Sequence, residues 1–234
     1  REAADMGKKK NDKRNLPGLR AATGPRGGAG MAGAGGVQKS MDKQQTVQKA
    51  LPLQKKFGQH LLRNPGILDK IIDAGDIKSS DIVFEIGPGT GNLTMRMLDL
   101  GKTVIAQEID PRMAAEVQKR ARNEGRSNLV VKEGDCLKAD WPPFHVCIAN
   151  LPYQISSPFT FKLLAHQPAF RCAVIMFQKE FAERLVAEPG ENFYGRLALN
   201  CRLFARVTRV CKVSRGSFNP PPEVDSMVVK FTPR

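Results

Sequence analysis

From residue 82 onward, short apolar runs alternate with segments whose apolar residues recur at helical spacing. The run Ile82-Val83-Phe84-Glu85-Ile86 is nearly unbroken. It is too short for a helix and is the type that a parallel sheet buries on both faces. Thr103 to Gln107, Leu129 to Val131, Val146 to Ala149, Ala173 to Phe177, Val207 to Val213 and Met227 to Phe231 have the same character. Between them, helices are predicted from Asn64-Pro65 through Ala74, from Leu93 to Leu100, from Pro111 to about Asn123, over 157–165, from Lys179 to Ala187 and from Leu197 to Ala205. Asn64 and the two prolines supply helix-start signals. Strands alternating with helices predict an open, mainly parallel α/β sheet of seven strands with helices on both faces and right-handed crossovers. No internal repeat is present.

Residues 1–50 break this pattern and read as a tail, so the folded domain is expected over 51–234. Nine of the 21 glycines fall between Gly7 and Gly36, a composition that cannot build a core. The chain carries a formal charge of +14, which points to a polyanionic partner. Residues 1–56 hold thirteen Lys/Arg against four Asp/Glu, a net of +9. The run Lys8-Lys9-Lys10 with Lys13-Arg14 suits a nuclear or nucleolar address, an arm that touches phosphates, or a solvated charge run. Asp5 and Asp12 interrupt the basic stretch and count against a mitochondrial leader.

Five cysteines with no Cys-x-x-Cys pair predict reduced thiols, mostly buried. With three histidines and no Cys/His cluster, no metal site is expected. No apolar run approaches the roughly 20 residues of a membrane span, so no membrane partner is expected.

The residues with chemistry gather where the strands end, the edge at which open parallel sheets bind ligands. Gly87-Pro88-Gly89-Thr90-Gly91 closes the first strand and opens a helix, a turn that lets backbone approach a ligand. Its spacing is tighter than a dinucleotide fingerprint, and the acid Glu85 precedes it. Glu108 ends the next strand, 21 residues beyond Gly87, the distance at which an acid accepts both ribose hydroxyls. Asp135 ends the third strand and suits an adenine amine. Together these predict an adenosine-containing cofactor without a pyrophosphate, S-adenosyl-L-methionine.

Asn150-Leu151-Pro152-Tyr153 ends the fourth strand. Taken alone it is equally an ordinary strand-ending turn, since Asn and Pro are common there. Beside a methyl donor it acquires a second reading. If the Asn150 side-chain oxygen and the Leu151 backbone carbonyl both accept from an adenine amine, the nitrogen is held pyramidal with its lone pair free. Pro152 stiffens the turn and Tyr153 stacks on the base. The neutral amine attacks and sheds its proton afterwards, so no general base is required; orientation and placed partial charge supply the rate. Because a duplex hides the amine, the target is unpaired or flipped out.

Lys56-Phe57-Gly58-Gln59-His60, Glu85 to Gly91, Glu108-Ile109-Asp110-Pro111, Gly134-Asp135, Asn150 to Tyr153 and Phe218 to Ser226 resemble, in order, the rRNA adenine N6,N6-dimethyltransferase family. The continuation Gln154-Ile155-Ser156-Ser157-Pro158 is more similar to its eukaryotic nucleolar branch. The resemblance implies a Rossmann-like, S-adenosylmethionine-dependent methyltransferase that dimethylates two adjacent adenosines near the 3′ end of small-subunit rRNA. It also implies a part in small-subunit biogenesis on pre-ribosomal particles in the nucleolus, as a monomer. By position, His60 and Leu62 line the methionine end of the cofactor, Gly87 and Gly89 approach it, Glu108 holds the ribose and Asp135 the adenine. Asn150, with Leu151, Pro152 and Tyr153, grips the target and edges the cofactor, and Phe218 stacks on the base from the other side. The family carries a small helical domain after its last strand, which the sequence ending at Arg234 does not include. Lys179, Arg184, Arg196, Arg202 and Arg206 offer phosphate contacts or a solvated helix face.

Three other readings remain: an assembly factor whose binding outweighs its catalysis, a mitochondrial transcription-factor relative, and a DNA adenine methyltransferase.

Overall fold

The computed structural model describes residues 59–234. The expectations for residues 1–50, and for the Lys56-Phe57-Gly58 part of the leading motif, lie outside the described residues.

The apolar runs form a seven-stranded sheet. Its strands are β2 (Ile82–Ile86), β3 (Thr103–Glu108), β4 (Leu129–Glu133), β5 (Val146–Asn150), β6 (Cys172–Gln178), β7 (Ala205–Val213) and β9 (Ser226–Pro233), in the order β4-β3-β2-β5-β6-β9-β7. All neighbours from β4 to β6 are parallel, and β9 runs antiparallel between β6 and β7. A second, two-residue pairing joins β1 (Leu61–Leu62) to β8 (Phe218–Asn219), antiparallel. The helices are α1 (Pro65–Gly75), α2 (Thr94–Leu98), α3 (Pro111–Asn123), α4 (Ser156–Leu164), α5 (Lys179–Val186) and α6 (Arg196–Phe204).

The strands alternate side chains across the sheet, and that alternation builds two cores. Val83, Val104, Val146, Ile148, Val174 and Met176 belong to one cluster together with Leu68, Ile71, Met97 and Val117 from α1, α2 and α3. Phe84, Cys147, Ala149, Ala173, Ile175 and Phe177 point the other way, to a cluster with Phe159, Leu163, Ala182 and Cys201 from α4, α5 and α6. Both faces are therefore covered, as the unbroken apolar runs require.

Local signals set the helix starts. The Asn64 side chain accepts from the Ile67 N–H at 3.3 Å, and Asp110 accepts from Arg112 N–H at 3.1 Å, each with a proline at the first helical position. Four of the cysteines are buried and Cys211 is half-buried, all of them free thiols.

The strand order places the site. The chain winds outward through β2, β3 and β4, then returns to lay β5 on the other side of β2. The carboxyl ends of β2 and β5 thus flank a topological switch point, where a crevice opens.

Candidate functional site

A cavity of about 310 Å³ opens at that switch point. It is lined by the glycine turn after β2, the ends of β3 and β4, Asn150 to Ile155, and the segment from Gln59 to Leu62. The structure thus brings together every predicted site residue: His60, Leu62, Gly87, Gly89, Glu108, Asp135, Asn150, Leu151, Pro152, Tyr153 and Phe218 all line it.

The turn does what its glycines allow. Gly87, Gly89 and Gly91 all have positive φ. At Gly91, φ is 85° and an added Cβ would stand 2.9 Å from Val117 Cγ2, so no other residue fits without displacing α3. Gly87 abuts the backbone carbonyl of Asn150, which a Cβ there would meet at 3.5 Å. The glycine turn and the Asn150 turn therefore border the same cavity.

Charge in the cavity runs against the chain's balance. The protein carries +14 overall, yet the cavity is lined by Glu85, Glu108 and Asp135 and, among the described residues, by no Lys or Arg. Burial pushes the Glu108 carboxyl upward, although Oε1 accepts from Asp110 N–H at 3.0 Å and Oε2 from Gly89 N–H at 3.2 Å. Glu85 is buried beneath the turn, where Thr94 Oγ1 donates to its Oε2 at 2.6 Å. Burial raises its carboxyl to about 8, the Thr94 bond opposing and the Glu108 charge adding to the rise. Glu85 is therefore protonated at neutral pH, and a pocket of carboxyl groups with no cation among the described residues offers a phosphate no partner.

A polar atom also awaits a partner there. The Gln107 side chain donates Nε2–H to Gly134 O at 3.0 Å, while its buried Oε1 has no partner among the described residues. A donor on a bound ligand would satisfy it. Asp135 Oδ1 accepts from Leu137 N–H at 2.9 Å, which fixes that carboxylate at the end of β4. These features fit S-adenosylmethionine: a sulfonium and an ammonium for the carboxyl groups, ribose hydroxyls for Glu108, an adenine amine for Asp135, and no phosphate.

The Glu85 shift has a sign that can be measured. Folding raises its pKa from 4.5 to about 8, so between those values the folded state holds a proton that the unfolded chain has released. The stability contributed is complete below the unfolded value and is lost as pH rises through the folded one. Replacing Glu85 by Gln is expected to flatten the pH dependence of the ligand-free Tm across that window and to raise Tm above its upper end, one pKa unit corresponding to about 1.4 kcal/mol. A wild-type Tm profile no steeper than the variant's would contradict this account of the pocket.

Asn150 stands at the last position of β5, paired to Met176 of β6. Its Nδ2 donates to His60 O at 3.2 Å, which orients the amide and leaves Oδ1 as the acceptor. Tyr153 opens a one-turn 3₁₀ helix, Tyr153–Ile155, and its hydroxyl bonds Ser226 Oγ of β9 at 2.8 Å, so the ring is held at both ends. Phe218 lines the cavity with its ring almost wholly buried, packed in the same cluster as Leu62 and Leu68.

The segment that roofs the cavity is tied at several points. Leu61 and Leu62 pair with Asn219 and Phe218, Asn92 Nδ2 donates to Leu62 O at 2.8 Å, and His60 Nδ1–H donates to Pro220 O at 2.9 Å. Gln59 Nε2 reaches Asp110 Oδ2 at 2.9 Å. Arg112 beside Asp110 holds that carboxyl at about 2, so the latch stays charged.

Sequence reasoning missed Gln107 and Ser226 and gave Glu85 no role. Gln107 carries no motif signal inside a strand. Ser226 closes a loop far along the chain from Tyr153. Glu85 was visible as the acid before the turn, but its burial was not.

Among the described residues, no group of three His, Cys, Asp or Glu side chains could hold a metal ion, and no helix is long and apolar enough to cross a membrane.

Comparison with known proteins adds independent findings. The model of the family "Ribosomal RNA adenine dimethylase" matches residues 51–234. The chain is 54% identical over 188 residues to the ribosomal RNA small subunit methyltransferase of Arabidopsis thaliana, covering 80% of this chain and 53% of that protein. It thus spans about half of that relative's length. Among solved structures, a dimethyladenosine transferase from Plasmodium falciparum superposes with a TM-score of 0.73 at 61% identity, covering 75% of this chain and 64% of that one. The 23S rRNA methyltransferase ErmE superposes with a TM-score of 0.68 at 30% identity, covering 74% and 70%. The fold is thus the Rossmann-like class I methyltransferase fold that these relatives share.

Proposed function

Because the chain belongs to the ribosomal RNA adenine dimethylase family, we propose that it dimethylates the N6 amines of two adjacent adenosines near the 3′ end of small-subunit rRNA. The observation that carries the chemistry is a carboxyl-lined cavity, without Lys or Arg among the described residues, that Asn150 also lines, its Nδ2 engaged by His60 O and its Oδ1 left as the acceptor. Similarity supports the choice of RNA: identity is 54% to a small-subunit methyltransferase and 30% to a 23S enzyme.

S-adenosylmethionine, when bound, supplies an electrophilic methyl group. Glu108 accepts from its ribose, Asp135 and Gln107 Oε1 from the donors nearest them, and Gly87 and Gly89 let the backbone close on it. Asn150 Oδ1 and the Leu151 carbonyl accept the two amine hydrogens of the target adenine, which frees the nitrogen lone pair. Tyr153, anchored through Ser226, stacks on the base and fixes its angle. Phe218, packed in the core with Leu62 and Leu68, backs the wall of the cavity rather than offering the base a free face. These groups act by orientation and fixed partial charge, with no proton removed before attack.

In the same reading the protein works as a monomer on pre-ribosomal particles in the nucleolus. The Lys-rich stretch from Lys8 to Arg14 and the charge of +14 support the RNA-bound, nucleolar part of that reading. The test is to incubate the protein with unmodified small subunits and labelled S-adenosylmethionine and to map the label. Incorporation at two adjacent adenosines near the 3′ end is the expected result. Label elsewhere in the subunit, or only in large-subunit RNA, would overturn the assignment.

A further inference from the structure

A second cleft, of about 540 Å³, opens on the face built by α4, α5 and α6. Ser157 and Phe161 of α4, Phe181 and Arg184 of α5, and Arg196 and Asn200 of α6 line it. Its chemistry is the reverse of the first cavity's, because two guanidinium groups line it and, among the described residues, no carboxylate does. Two nearby cations are already engaged: Lys162 donates to Leu137 O and Ala139 O, and Arg202 pairs with Glu188 and donates to Ala187 O. Arg184 and Arg196 are exposed and have no partner among the described residues. Phe161 is 44% exposed, beside the half-buried ring of Phe181.

An exposed aromatic face, unpaired arginines and a side-chain amide form the combination that holds an unpaired nucleotide. The ring stacks on the base, the guanidinium groups meet phosphate, and an amide meets a base edge. Position ties the cleft to the site. Tyr153, Gln154 and Ile155 line the first cavity, and Ser157, two residues on, lines the second. Phe161 follows Ser157 by four residues, about one helical turn along α4.

We infer that this cleft is a subsite for an unpaired nucleotide that flanks the target adenosine. It rests on the reading that the protein acts on RNA, and it adds a reason for choosing among RNAs. Only a strand unpaired beyond the target can fill both clefts, so the protein selects a single-stranded context rather than one exposed base. A duplex neighbour keeps its bases stacked and leaves Phe161 uncovered.

The test uses the full chain and a fluorescein-labelled oligouridylate of about ten nucleotides, within the site sizes that single-strand binders use. Uridine lacks the adenine amine, so its binding is independent of methyl transfer. Affinity and its salt dependence are measured for wild type, Phe161→Ala, Arg184→Gln and Arg196→Gln. S-adenosylhomocysteine binding by calorimetry reports that the fold and first cavity are intact. Phe161→Ala is expected to weaken oligouridylate binding at least about fivefold with the salt slope unchanged, as loss of one stacked base would. Each arginine variant is expected to weaken binding and to lower the slope of log K against log salt by about 0.7, one phosphate contact. S-adenosylhomocysteine affinity stays within about twofold throughout.

Four results would overturn the proposal. They are no binding of oligouridylate by wild type, affinities unchanged in all variants, an effect of the arginines without one of Phe161, and tighter Phe161-dependent binding of an oligoglutamate peptide than of the RNA. If methyl transfer to rRNA is absent while oligouridylate still binds through Phe161 and the arginines, the proposed reaction fails and the cleft stands.

Discussion

Asn150→Ala is expected to lower methyl transfer by about two to three orders of magnitude, the range seen when one preorganised polar contact to a reacting group is removed. The Asn150 amide is oriented by its Nδ2 bond to His60 O, so Oδ1 is held as the acceptor in the cavity that Gly87 also lines. Alanine removes that acceptor, and the adenine amine reverts to a planar, poorly nucleophilic form. The fold should persist. Asn150 is half-buried at the mouth of β5, and losing one hydrogen bond to a backbone carbonyl costs about 1 kcal/mol. S-adenosylhomocysteine affinity is therefore expected within about tenfold of wild type, while single-turnover methyl transfer collapses. Undiminished transfer in a folded variant would remove Asn150 from the mechanism.

The second large effect is on cofactor binding. Glu108→Ala is expected to weaken S-adenosylhomocysteine at least about 100-fold, because two charge-assisted hydrogen bonds to ribose hydroxyls contribute about 1.5 to 3 kcal/mol each. The same carboxylate receives the N–H groups of Gly89 and Asp110, so its loss also loosens the turn and the start of α3. Glu108→Gln keeps the shape and one acceptor and is expected to retain more affinity than the alanine variant. The wild-type affinity should carry a matching pH signature. Burial raises the Glu108 pKa above the ordinary carboxylate range, so affinity falls as pH drops through that raised value and the group takes up a proton. Calorimetry across pH reads both effects. Equal affinity in wild type and Glu108→Ala would place the ribose elsewhere.

Much of this architecture was legible because burial on both faces leaves a strong mark. Strands β2, β5 and β6 are almost wholly buried, and their apolar runs could be nothing else at that length. The edge strand β4 was harder: it runs to Glu133, but Lys132 and Glu133 are polar because that edge meets solvent, and the apolar signal stopped at Val131. The α2 signal overran in the other direction. Leu100 continues the apolar spacing, but the helix ends at Leu98, where the backbone turns at Gly101 to enter β3.

The two-residue strands β1 and β8 left no periodic trace at all, since a pairing of that length has no pattern to repeat. Their consequence is functional, because they seat His60 and Leu62 over the cavity. The antiparallel insertion of β9 between β6 and β7 was likewise invisible in the sequence. It brings Ser226 to the Tyr153 hydroxyl, a contact between residues 73 positions apart.

At the site, residue types that chemistry demands were readable from their place at strand ends: Gly87, Glu108, Asp135 and Asn150. What burial does to them was not. The raised carboxyl of Glu85 and the unpartnered oxygen of Gln107 arise from packing that only three dimensions reveal. The surface arginines were legible as charges, and the fold sorted them. Arg202 is tied to Glu188, while Arg184 and Arg196 face an open cleft.

On the proposed function, the Asn150 site methylates the exocyclic amine of adenosine twice. Nucleoside mass spectrometry of small-subunit rRNA, digested after incubation with this protein and S-adenosylmethionine, tests it most directly. N6,N6-dimethyladenosine as the product is the expected result; methyl groups found only on ring nitrogens, ribose oxygens or another base would contradict it.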